Sequence, residues 1–207
     1  MKPLNILIMF FTGVIFCSCQ SQKLSLQDKS SKELLQISLN HRATIFIFAY
    51  DLPCGTGIGA FREECPEFRE LSGRNDFAAV LLDEYIKLDP LAVDPDWSDL
   101  QIGEFKWKIT LIEFLLAQPN IMEQLGEYEL RSLKEIAVLN YQKKKMLSEV
   151  YGWGLTSPAA VCASIIMKVN PALLEERRSE TSPLICNLGA DSRFLDEVVE
   201  LLKSIEI

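Results

Sequence analysis

The chain has 207 residues, 48% of them apolar, with 21 Lys and Arg against 29 Asp and Glu and a single histidine. That apolar share is enough to build a packed core and excludes general disorder. The net charge of −8 argues against a protein whose main partner is nucleic acid or an anionic bilayer surface, since both are held by clustered Lys and Arg.

The first element is a leader. One cation, Lys2, precedes an apolar run from Leu4 to Phe16. The run is too short to cross a hydrocarbon layer of roughly 30 Å and has the length of a signal-peptide core. It ends in Phe16-Cys17-Ser18-Cys19. A cut before Cys19 would set Phe16 at the −3 position, where ordinary signal peptidase takes a small side chain. The segment resembles a bacterial lipoprotein signal, with a small residue just before a cysteine. The resemblance implies that residues 1–18 are removed and that Cys19 becomes the lipid-bearing first residue. Residues 19–30 would then be a flexible tether and 31–207 one helical domain, lipid-anchored in the envelope of a bacterium and facing the periplasm. The alternative is a soluble secreted protein. Loss of the leader takes Lys2 with it and leaves a charge of −9.

Four further cysteines follow, Cys54, Cys65, Cys162 and Cys186. An even number in an exported chain permits two disulfides in three pairings. The most economical expectation joins near neighbours, Cys54–Cys65 and Cys162–Cys186.

Ser30 and Glu33 make a capping box, and Leu34, Leu35, Ile37 and Leu39 continue an apolar face. The stretch at 43–50 is β-branched and aromatic, but no second strong strand exists to pair with it. A lone strand leaves its backbone unsatisfied, so one helix is expected from 31 to about 50. "CGTGIGAFREEC" reads as a stapled loop, then "PEFREL" as a short helix ending near Gly73. Asn75 opens a helix through Phe77, Leu81, Tyr85 and Leu88 that Pro90 closes. A proline-rich acidic loop leads to a helix from about Lys106 to Gln118, and a turn at 119–126 to a long helix over 127–150. Ser157-Pro158 has the form of an N-cap followed by a first-turn proline. A short helix at "PALLEERR" and a last one capped by Ser192 complete the chain. The sum is an all-α protein, an irregular bundle of six to eight helices. A short α-solenoid of helical hairpins is the alternative, although no repeat of fixed period is present.

The candidate chemistry is sparse. Gly55, Gly57 and Gly59 are spaced two and two, so neither a dinucleotide fingerprint nor a P-loop fits, and a bend that brings Cys54 to Cys65 explains them better. Counted from Asp94, Asp96 and Ser98 fall at the third and fifth positions of a calcium loop, but Asp99 occupies the position that needs glycine and Pro95 stiffens the turn. Asp89, Asp94, Asp96 and Asp99 therefore read as turn acids, with Ser98 or Asp99 capping a helix. His41 is alone and expected within a helix, which leaves no Ser-His-Asp or Cys-His arrangement. Glu63-Glu64 and Glu175-Glu176 are adjacent by composition. Lys143, Lys144 and Lys145 read as a solvated helix face. No metal or cofactor site is expected. Tyr151 and Trp153, alternating with Gly152 and Gly154, are the best candidates for a binding surface, against the plain alternative of aromatics tucked into the core. Trp97 and Trp107 carry the same ambiguity. These readings converge on a non-enzymatic, lipid-anchored envelope protein whose acidic helical domain binds another protein. The competing class is a small envelope hydrolase using carboxylates in a cleft.

Overall fold

A computed structural model describes residues 25–48 and 55–207. The leader, Cys19 and Cys54 lie outside the described residues. Within them the chain forms ten α-helices and four short 3₁₀ segments without a strand, which establishes the all-α class. The capping box at Ser30 and Glu33 is formed, with the Ser30 backbone N–H donating to Glu33 at 2.8 Å. It opens α1, Ser31–Leu39. The expected continuation to residue 50 breaks at Asn40, and a 3₁₀ segment, Arg42–Phe48, follows. β-Branched Thr44, Ile45 and Ile47 disfavour regular helix, and here Ala43, Thr44 and Ile47 turn inward while Ile45 and Phe46 stay exposed.

The glycine-rich stretch is not a stapled loop. Thr56–Glu64 is a helix, α2, entered through Gly55 at φ +81°, a left-handed conformation that favours glycine. A Cβ on Gly57 would lie 2.4 Å from the Phe46 carbonyl oxygen. Gly57 is therefore what lets α2 rest on the 3₁₀ segment. Pro66–Leu71 forms α3, where the Cys65 sulfur accepts the Phe68 N–H at 3.4 Å. Phe77–Ile86 forms α4. Residues expected to belong to the tether are already docked here, since Arg74 donates to the carbonyls of Leu26 and Lys29.

Ser98 caps α5, Asp99–Leu116, with Gln101 completing a capping box. The helix starts seven residues before the expected Lys106 because its first turns carry no apolar stripe. The short α6, Pro119–Met122, precedes the long α7, Glu127–Tyr151, which ends at Gly152 with φ +60°. Thr156–Val169 is α8, and every residue from Ser157 to Ile166 is buried. Helices α5 and α7, with α9 (Arg178–Asn187) and α10 (Ser192–Lys203), pack around it. Ala159, Ala160 and Ala163 permit that close approach, and the encircled helix makes this an irregular bundle rather than a solenoid. α10 presents Phe194, Leu195, Val198, Val199 and Leu202 to the core, each burial being worth about 1.5–3 kcal/mol.

The local disulfides are corrected by position. Cys65 and Cys162 are both free, buried thiols. Cys65 sits between α2 and α3 and Cys162 midway along the encircled α8, so neither Cys54–Cys65 nor Cys162–Cys186 is formed. Burial raises the Cys65 thiol pKa, and burial with the neighbouring Glu113 carboxylate raises that of Cys162. Neither is a ready nucleophile.

Candidate functional site

Two polar regions lie along α5, one at each end. The inner one was not expected. Glu113 and Lys144 are both fully buried and paired at 2.5 Å. The same carboxylate accepts from Ser157 Oγ at 2.5 Å and from the Tyr85 hydroxyl at 2.8 Å. Four helices, α4, α5, α7 and α8, are thus tied to one carboxylate. Asn140, also fully buried, lies against the Tyr85 hydroxyl without a hydrogen bond of good geometry. Burial, reinforced by the Glu113 charge, raises the Tyr85 pKa well above the usual phenol value. Burial lowers that of Lys144 against the opposing pull of Glu113.

Trp153 completes this inner cluster. Its ring lies 5.0 Å from Lys144 Nζ and edge-on to Phe105, and only 4% of the residue is exposed. It is therefore core, not the protein-binding contact expected of it. Tyr151 is half-buried as the last residue of α7, and its carbonyl, with that of Gly152, accepts from Lys106 at 2.5 and 2.9 Å. The lysine run divides likewise. Lys143 pairs with Asp89, Lys144 enters the core, and only Lys145 stays on the solvated face, paired with Asp196. The signal for Lys144 was phase: it lies three residues beyond Tyr141 and seven beyond Ala137, on the inward stripe.

The outer region is a wide groove of about 810 Å³ between the first turns of α5 and the end of α1 with its 3₁₀ continuation. Trp97, Phe105, Trp107 and Leu39 give it apolar walls; His41, Arg42, Asp99 and Glu104 supply charge and polarity. Trp97 packs edge-on to Phe105, and Phe105 edge-on to Trp153. A chain of aromatic rings thus runs from the groove to the buried pair and holds its wall in place. Leu100, at its edge, is 72% exposed. His41 is not within a helix; its Nδ1 accepts the Ala43 N–H.

Asp99 and Glu104, the carboxylates of the groove, are five positions apart on α5 and so turned about 140° from each other around its axis. They do not converge as an acid–base pair would. Glu63-Glu64 and Glu175-Glu176 are exposed on other elements. Among the described residues no group of three or more metal-ligating side chains converges, and no helix is long and apolar enough to cross a membrane. The chain matches no protein-family model, no curated protein and no solved structure.

Proposed function

We propose that this chain is an exported envelope protein, lipid-anchored through Cys19, whose helical domain docks another protein in the α5 groove. The observation that carries the docking reading is the groove itself: wide, open and walled by aromatics, with Leu100 left in solvent at its edge. Exposed apolar side chains beside a concave, aromatic-lined surface are the features by which partner proteins are held. Export is supported by the sequence alone, through the apolar run ending at Cys19.

The anchor and the docking surface are tested separately. Cys19→Ala should move the protein from the membrane fraction to the soluble one; unchanged sedimentation would overturn the anchor. Co-purification from solubilised membranes should recover a stoichiometric partner with the parent protein and lose it with Leu100→Ser. A partner retained equally by both would remove the groove from the account.

A further inference from the structure

Resting on the reading of the groove as a docking surface, we infer that its occupant is a basic, amphipathic segment of a partner protein. The charge pattern of the α5 side carries this. From Leu88 to Phe105 the chain holds Asp89, Asp94, Asp96, Asp99 and Glu104 and no Lys or Arg. The lysines nearby are engaged elsewhere. Lys143 neutralises Asp89, Lys108 pairs with Glu84, and Lys106 holds the carbonyls that end α7. Asp94, Asp96, Asp99 and Glu104 are exposed, and none of them forms an ion pair among the described residues. Within the same stretch Leu91 and Leu100 are 48% and 72% exposed, and Trp97 and Phe105 line or back the groove.

The result is an acidic lip over an aromatic floor. A segment with Leu-like side chains on one face and Lys or Arg beside them matches both at once, with apolar groups in the groove and cations along α5. The opposite wall brings Arg42, exposed and without an ion pair among the described residues, and His41. Arg42 fixes which side the partner's cations take. It also makes a prediction of opposite sign: removing it should strengthen the complex.

The test uses the full-length protein in phosphatidylcholine nanodiscs, with empty discs subtracted. The probes are an amphipathic Leu/Lys peptide and a Leu/Glu peptide of the same apolar pattern, titrated against tryptophan fluorescence. The Leu/Lys peptide should bind at least tenfold more tightly at low salt and weaken as salt rises. Asp99→Asn with Glu104→Gln should weaken it about threefold to tenfold, as expected for two exposed charge contacts, and Arg42→Ala should tighten it about twofold. Leu100→Ser should weaken both peptides. All four positions are exposed, so these variants keep the fold, which a thermal melt confirms. Equal or tighter binding of the Leu/Glu peptide, with Leu100→Ser still weakening it, overturns the basic partner and leaves the groove. No effect of Leu100→Ser on either peptide overturns the groove itself. Self-association in the ultracentrifuge that Leu100→Ser abolishes would make the occupant a second copy and also overturn the inference.

Discussion

The two halves of α5 behave as different materials. From Asp99 to Lys108 the helix stands half out of the molecule, with Leu100 in solvent and its acids unpaired. From Leu111 to Leu116 it is buried on all sides, and its one acid, Glu113, is held by a lysine and two hydroxyls. The same residue type thus has two fates. In water a carboxylate is solvated and available to a partner; inside, desolvation is so costly that it persists only with its charge matched and its oxygens hydrogen-bonded. The inner half fixes how four helices meet, and the outer half is left as surface.

The largest effect should come from unbalancing the inner half. Lys144→Met leaves the Glu113 carboxylate buried without its cation and should cost about 3–5 kcal/mol in urea denaturation. Combining it with Glu113→Leu should recover most of that loss. If the double variant is as unstable as the single one, the pair is not a matched unit. The same contrast between filled and open space recurs in α2. Gly57→Ala drives a methyl into the Phe46 carbonyl and should cost about 1–3 kcal/mol. Gly59 meets nothing within 4 Å, so Gly59→Ala should be neutral or stabilising by up to about 1 kcal/mol. Equal losses at both positions would remove the close approach from the account.

A solvent-facing ion pair should matter less than the buried one and should titrate. Hydrogen bonds from Lys145 and Tyr141 lower the Asp196 pKa. Its contribution is complete above about pH 4, the unperturbed carboxylate value, and is lost as pH falls through the lowered folded value. Asp196→Asn should therefore flatten the acid limb of a pH–stability curve and leave its shape at neutral pH unchanged. Smallest of all is Leu100→Ser, expected to change stability by no more than about 0.5 kcal/mol while weakening partner binding. A thiol count sharpens the inner side: Cys65 and Cys162 should resist Ellman's reagent until the protein unfolds.

Much of the fold could be read where apolar periodicity and end signals agreed. The Ser30–Glu33 box, the stripes of α4, α7 and α10, and the start of α8 within two residues of Ser157 are of this kind. Elements were missed where one signal pointed elsewhere. α2 looked like a loop because it is glycine-rich, yet Gly57 serves a backbone contact with Phe46 and Ile47, eleven and ten positions away, which no local pattern reveals. α9 was hidden by its internal Pro183. Ser157 looked like a cap, but its hydroxyl donates to Glu113 across the core. Lys144 looked solvated because lysines flank it, although its helical phase pointed inward. The pairing of cysteines by nearness in sequence failed because burial depends on which way a helix faces. Of the groove, Trp97 and Trp107 could be read as candidate contacts, though less strongly than Trp153, while His41 and Asp99 read as structural residues; its shape depends on where α1 and α5 meet.

The most direct test of the outer half as a docking surface is hydrogen–deuterium exchange of the full-length protein with and without the Leu/Lys peptide. Protection confined to residues 39–46 and 97–108, with the amides of α8 unchanged, is the predicted result. Protection at α7 or α10, or none near α5, would contradict it.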